Sequence, residues 1–211
     1  MKNDWVVWTS GAVDQEPPNY YCRDVFGDHL EDWTITRLTS HAFCEWSPVF
    51  NGRSLAFLRS TSQSGGAGPS ELMILDRQTG IETRLADGGA QAGYFDIGDQ
   101  YLGWSGYVQD STGLGKDVFA LDLETLEVLR IPETIPYFML DVRVSGEYLT
   151  YTGSPNWVEP PFFLKLYHVP TRTETHLEGD GVTETGIIAG AIRVPLVSWN
   201  TTKYMATVTP P

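Results

Sequence analysis

A repeat of 46 to 47 residues constrains this chain more than any local motif. A basic residue followed by an aliphatic one closes each unit, at Arg37-Leu38, Arg84-Leu85, Arg130-Ile131 and His176-Leu177. The first members stand 47, 46 and 46 residues apart. A second landmark, Leu55, Leu102 and Leu149, recurs at 47 and 47. A fixed period of this length marks a repeat architecture in which each unit buries its faces against its neighbours. Apolar residues alternate with a period of two or run mixed, without a 3.6-residue stripe, so the unit is built from strands.

The fullest unit runs from Glu45 to Leu85. Asn51-Gly52 suits a tight turn, because both residues tolerate positive φ. Gln78-Thr79-Gly80 makes a second turn between strands expected at Leu72–Asp76 and Ile81–Leu85. Four short strands in about 40 to 45 residues form one propeller blade. A lone blade exposes both faces; stacking blades around an axis buries them and leaves only short edges. The expected fold class is therefore all-β, a β-propeller of roughly five four-stranded blades with the first and last incomplete. It forms a single domain over 1–211, with repeats near 1–39, 41–87, 92–132, 136–179 and 184–211. The first unit offers strands at Trp5–Ser10, Tyr20–Phe26 and Trp33–Thr39. The last offers Gly186–Ile192, Leu196–Trp199 and Lys203–Val208. Either these ends complete one another in a compact ring, or the chain is a segment of a larger propeller. Trp46, Phe57, Trp104 and Tyr151 occupy inner-strand positions and are expected to pack between sheets.

Charge narrows the partners. The formal net charge of −13 repels nucleic acid and anionic membranes over most of the surface. The longest apolar stretch, Gly186 to Trp199, is broken by Arg193 and Pro195 and is too short for a membrane span. Met1-Lys2-Asn3-Asp4 leads only into the short run Trp5-Val6-Val7-Trp8, so no signal peptide is expected in the chain as given. Cys22 and Cys44 fit no metal motif. They are read as two packed thiols in neighbouring blades, with a disulfide as the alternative.

The loops between second and third strands are long: Gly11–Asn19, Thr61–Ser70, Val108–Lys116 and Gly153–Pro161. The remaining turns are mostly tight. Insertions gathered on one face of a repeat protein often mark its binding face. Asp14-Gln15-Glu16-Pro17-Pro18 sets Asp14 and Glu16 on a stiffened backbone. Asn156-Trp157-Val158-Glu159 sets Trp157 between Asn156 and Glu159, again held by prolines. Trp157 is the expected anchor, for a partner side chain or a sugar ring. Glu159, Glu16 and Asp14 would steer a cationic partner. Ser62–Gly68 is Gly-rich but lacks the lysine of a phosphate loop. Arg77, in a tight turn of the opposite face, is expected to be a neutral position.

Catalytic and metal chemistry find little footing. Gly103-Trp104-Ser105-Gly106 is one residue short of a nucleophile elbow and falls in an expected strand. His29, His41, His168 and His176 form no ligand motif and are read as structural or surface residues, with His41 near the start of an inner strand. Asp76 and Asp122 recur at equivalent strand ends, where a carboxylate suits a turn. Asp180-Gly181 is too sparse for a calcium loop. Asn200-Thr201-Thr202 is a glycosylation sequon. Neither a metal nor a cofactor is expected.

Trp46-Ser47-Pro48, Gly52, Leu55-Ala56-Phe57, Asp76, Thr79-Gly80 and Arg84-Leu85 together resemble the TolB-type propeller repeat. The chain departs from that pattern where Val49-Phe50-Asn51-Gly52 lengthens the turn after Ser47-Pro48. The resemblance implies an exported module, periplasmic or extracellular, that binds a protein. It gives a non-enzymatic scaffold that acts through its loop-rich face on a protein or glycan, with self-association through incomplete end blades. It also implies two alternatives. One is a TolB-like enzyme such as a metal-dependent polysaccharide lyase, which uses histidines and a metal on the propeller axis. The other is the regulatory propeller of a prolyl oligopeptidase-like hydrolase.

Overall fold

A computed structural model describes residues 5–11, 23–41, 43–61, 70–85, 94–110, 113–131, 138–154, 163–177, 192–197 and 203–208. Every regular element among them is a strand, and every pairing is antiparallel. The chain divides into two compact units, Met1–Ala86 with Ala90–Ala92, and Asp87–Gly89 with Gly93–Pro211.

The first unit holds two sheets. Strands β1 (Trp5–Gly11), β2 (Arg23–His29) and β3 (Thr34–Arg37) form a three-stranded meander. Strands β4 (Glu45–Phe50), β5 (Ser54–Ser60), β6 (Ser70–Asp76) and β7 (Ile81–Arg84) form a complete four-stranded blade. All of β5 is buried, as a strand covered on both faces must be. Leu55, Phe57, Met73 and Leu75 meet Val25 of β2 in one apolar cluster, with Val7 and Phe50 packed against it. Gly27 leaves the space this packing needs, since a Cβ there would stand 2.9 Å from Leu38 Cδ1 and 3.1 Å from Trp5 Cε3.

The second unit holds two complete blades and a hairpin. The first blade comprises β8 (Phe95–Ile97), β9 (Tyr101–Asp110), β10 (Gly113–Asp122) and β11 (Val128–Ile131). The next comprises β12 (Phe138–Ser145), β13 (Tyr148–Ser154), β14 (Phe163–His168) and β15 (Thr173–Leu177). Strands β16 (Ile192–Val197) and β17 (Lys203–Val208) pair with each other. Tyr101, Val118, Val142, Val144, Leu149 and Tyr151 belong to a core shared by the two blades. Gly103 permits their close approach: a Cβ there would lie 2.9 Å from both Leu149 Cδ2 and Val144 Cγ2. Asp96 Oδ2 accepts a hydrogen bond from the Val144 amide at 3.0 Å, which ties β8 to β12.

Several boundaries differ from the sequence reading, each for a physical reason. The Trp46-Ser47-Pro48 motif is a bulge, with the β4–β5 register shifting between Trp46 and Val49 and Ser47 at φ +53°. A bulge suits a proline, which has no N–H for the ladder. It absorbs the extra residues assigned to the turn, and it leaves Trp46 only half-buried, whereas Phe57, Trp104 and Tyr151 are fully buried as expected. The turn itself is held by Asn51, whose Oδ1 accepts from the amides of Arg53 (3.0 Å) and Ser54 (2.7 Å), with Gly52 at φ +96°. Val108–Lys116 is not a loop. The β9–β10 ladder continues from Asp122↔Tyr101 to Gly113↔Asp110. Its polar composition does not exclude strands, since polarity correlates with loops without specifying them. Trp33 ends a turn instead of opening a strand. At the far end one strand, Ile192–Val197, replaces the expected break between Ile192 and Leu196. The remainder of Gly186–Trp199 lies outside the described residues.

Candidate functional site

The polar side chains of each blade follow the repeat. On the last two strands, Asp24 pairs with Arg37, Glu71 with Arg84 and Asp117 with Arg130. Each pair is 13 residues apart in sequence and one strand apart in space. Where the third strand ends, Asp76 Oδ1 accepts from the amides of Gln78 (2.8 Å) and Thr79 (3.0 Å). Asp122 Oδ1 does the same for Glu124 and Thr125, both at 2.9 Å. The amide bonds hold both carboxyls below the ordinary range, led by Thr79 for Asp76 and by Thr125 for Asp122. These aspartates act as turn caps, as the sequence indicates.

Histidines occupy the same capping position in the outer repeats. His29 and His168 stand 47 residues before Asp76 and 46 after Asp122. His168 Nδ1 lies 2.7 Å from Thr171 Oγ1, and its Nε2 lies 3.1 Å from Glu147. His29 packs on the Trp5 ring and faces Asp32. His41 stacks on Phe43, and its Nδ1 accepts the Phe43 amide at 3.2 Å. Burial lowers the His41 pKa; Arg59 lowers it further, against the opposing carboxylates of Glu82 and Asp24. The His176 side chain lies outside the described residues. Among the described residues, no three His, Cys, Asp or Glu side chains group as a metal site. Ser105 is a buried strand residue whose Oγ accepts the Tyr94 amide at 3.2 Å, so the Gly103–Gly106 stretch is no elbow.

The most concentrated polar chemistry of the first unit surrounds Glu45. Its Oε1 accepts from Arg59 Nε (2.9 Å) and Nη2 (2.6 Å), and its Oε2 accepts the Thr39 hydroxyl. Arg59 Nη1 reaches Glu82 at 2.6 Å. Burial raises the Glu45 pKa, opposed by the Thr39 and Arg59 hydrogen bonds. For Arg59, burial alone would lower the pKa, but hydrogen bonds to Glu82 and Glu45 outweigh it and raise it. This network joins the connection after β3 to β4, β5 and β7. It is a structural tie, in which one guanidinium serves two carboxylates.

Asp24, at the start of β2, lies within electrostatic reach of Glu45 and His41. Blades that are separate in sequence therefore come together beside Cys44. The expectation of packed thiols is corrected: Cys44 is disulfide-bonded. The only other cysteine, Cys22, lies outside the described residues.

The second unit carries a pocket of about 180 Å³ between the β10–β11 and β14–β15 turns. Tyr101, Ala120, Leu129 and Val169 line it with apolar surface, and Asp122, Glu127 and Arg172 supply charge. No one-blade sequence pattern points to it, because its walls come from two blades. The loop candidates Asp14, Glu16, Asn156, Trp157 and Glu159 lie outside the described residues. Arg77 is not a bystander: its guanidinium lies over the Trp5 ring at 4.4 Å and near Phe50 at 5.7 Å.

One further feature repeats. Among the described residues, the one closing the turn between the last two strands of a sheet has positive φ at four repeats: Trp33 (+53°), Gly80 (+71°), Leu126 (+60°) and Arg172 (+55°). Glycine takes this conformation at little cost, whereas other residues do not. Trp33 and Leu126 are also 73% and 60% exposed.

No known protein family matches the chain, and no curated protein matches it in sequence. Solved structures do match. TolB from Acinetobacter baumannii aligns over 98% of this chain and 49% of its own length, with a TM-score of 0.58 and 14% identity. The β-propeller domain of the Trilobed protease from Pyrococcus furiosus aligns over 98% of this chain and 66% of its own, with a TM-score of 0.59 and 11% identity. The fold is a TolB-like β-propeller. Pyrococcus horikoshii acylaminoacyl peptidase is similar to the same degree, with a TM-score of 0.60 and 13% identity over 99% of this chain and 37% of that one. This TolB-like propeller thus spans about half the length of the first TolB structure it matches.

Proposed function

We propose that this chain is a non-enzymatic β-propeller scaffold that binds a protein partner in an exported compartment. The observation that carries the reading is Trp33. A large aromatic, 73% exposed, is held at φ +53° where the equivalent residue of the next blade is Gly80. Leu126 and Arg172 share this backbone conformation, so what sets Trp33 apart is its exposed ring, and tryptophan is enriched among binding hot spots. Ile35, 65% exposed on β3, extends the apolar surface of the same hairpin. The disulfide at Cys44 supports export, since disulfides persist mainly in oxidising compartments. The loop-rich face with Trp157, Glu159, Asn156, Asp14 and Glu16 is the second expected contact, for a protein or glycan. Incomplete end blades offer a route to self-association.

The test is partner capture from a native extract, followed by titration of variants. Trp33→Ala and Trp157→Ala each weaken binding by about 2 kcal/mol or more. Thr83→Ala, exposed on strand β7 and in neither a turn nor a long loop, leaves it unchanged. Arg77→Ala is unsuitable as a neutral control because of its ring contacts. Unchanged binding in both tryptophan variants overturns the reading.

A second reading has its own support. The fit to acylaminoacyl peptidase, with a TM-score of 0.60, is close to the 0.58 of the fit to TolB. On that reading the chain is the regulatory propeller of a prolyl oligopeptidase-like hydrolase, and the native open reading frame continues into a hydrolase domain. The length of the native gene decides between the two.

A further inference from the structure

The pocket of the second unit has a chemistry more specific than its size suggests. Its volume of about 180 Å³ is below the roughly 300 Å³ at which whole small-molecule sites begin. It admits one side chain. Ala120 and Val169 are buried in its floor, with Leu129 half-buried beside them. Asp122 and Glu127 come from one blade and Arg172 from the next, so the lining carries one more negative charge than positive. Asp122 is fixed by its two amide bonds, so its carboxylate does not swing away. The Tyr101 hydroxyl accepts from Gln100 Nε2 at 3.2 Å. Burial raises the Tyr101 pKa, and the Asp122 and Glu147 carboxylates raise it further, which places the tyrosine in a negative field. An apolar floor, an aromatic wall and two carboxylates together match an aliphatic stem that ends in a cation. Arg172, held at φ +55°, supplies the only guanidinium among the lining residues and suits a main-chain carbonyl of the incoming segment. The net charge of −13 steers a basic partner towards the molecule at long range.

We propose that this pocket receives a single lysine side chain of a protein partner, with the ammonium held by Asp122 and Glu127 beside Tyr101 and the stem lying on Ala120, Leu129 and Val169. The proposal rests on the scaffold reading only in expecting a protein partner; the test below needs none.

The probe is the pentapeptide Gly-Gly-Lys-Gly-Gly blocked at both ends, titrated into the full chain and followed by amide chemical shifts. Shifts are expected at Ala120, Leu129, Val169 and the two flanking turns. Nε-acetylation of the peptide lysine removes the charge and should abolish them. Glu127→Gln removes one carboxylate from an exposed position. Asp122→Asn keeps an oxygen to cap the turn while removing the other charge. Each variant should weaken binding about threefold to tenfold, the range of a partly exposed ion pair. Equal binding of the acetylated peptide overturns the proposal. So do shifts spread evenly over the acidic surface, or an affinity unchanged in both variants. Failure here removes the pocket and leaves partner capture through Trp33 untouched; failure of capture does the reverse.

Discussion

Arg84 Nη1 lies 2.6 Å from Glu71 Oε1 on the neighbouring strand, and the preceding and following repeats of the sequence carry the same pair as Arg37–Asp24 and Arg130–Asp117. The partners differ in burial. Arg84 is 59% exposed, whereas Asp24 is 0% exposed. Exposed pairs contribute little, while removal of one partner from a buried pair leaves an uncompensated charge. Arg84→Ala should therefore cost less than about 1 kcal/mol. Arg37→Ala should cost about 3 to 5 kcal/mol. Urea unfolding of the two variants checks this, and equal losses would contradict the assigned burial of Asp24.

The positive-φ turn position gives a second expectation. At Leu126 the left-handed conformation costs about 1 to 2 kcal/mol, and glycine relieves it. The extra freedom of glycine in the unfolded chain takes back about 0.4 to 1 kcal/mol. Leu126→Gly should thus raise stability by roughly 0.5 to 1 kcal/mol. Gly80→Ala should lower it by about 1 kcal/mol or more, although a Cβ there meets nothing within 4 Å. A loss in Leu126→Gly would show that the leucine side chain holds the turn through packing.

Much of the blade pattern is legible in the sequence because the period is short-range chemistry. A carboxylate, a turn and a basic residue recur at fixed offsets, and each is satisfied within one sheet. Asp76 and Asp122 can be assigned to turns from position alone. The 13-residue spacing of acid and arginine is present in the same sequence, and three repeats of it are signal enough to find the ion pairs. Contacts that cross from sheet to sheet are not legible. The Arg77 stack on Trp5 and the pocket beside Tyr101 each join residues from different blades. Nothing in a one-blade pattern specifies them. Trp33 departs from its expected strand for a related reason: an aromatic with β propensity occupies a position whose backbone the repeat fixes as a turn.

The disulfide makes a chemical prediction. With two cysteines in the chain and Cys44 oxidised, thiol titration of the unfolded, unreduced protein should find no free thiol, and reduction should release two. The loop between positions 22 and 44 holds about two dozen residues, so reduction should lower stability by about 3 kcal/mol. Two free thiols before reduction would restore the packed-thiol reading and remove the argument for export.

Asp96 should impose a pH dependence of definite sign. Burial raises its pKa, against the amide of Val144, the charge of Arg143 and the amide of Ile97. The folded value therefore lies above the unfolded value of about 3.9. A raised carboxyl favours the protonated form in the folded state, so its contribution is fully present below about pH 3.9 and is lost as pH rises through the folded value. The carboxamide introduced by Asp96→Asn is uncharged at every pH. It keeps one oxygen for the two amides that Asp96 now serves, at 3.0 Å each, so the variant carries a constant penalty but no slope. Measured by urea unfolding between about pH 3 and pH 7, the stability difference should move steadily in favour of the variant as pH rises. A difference that stays constant would mean that Asp96 titrates alike in both states. A movement in the opposite direction would mean that the Val144 bond and Arg143 outweigh burial, and that the link between β8 and β12 is strongest with the carboxylate charged.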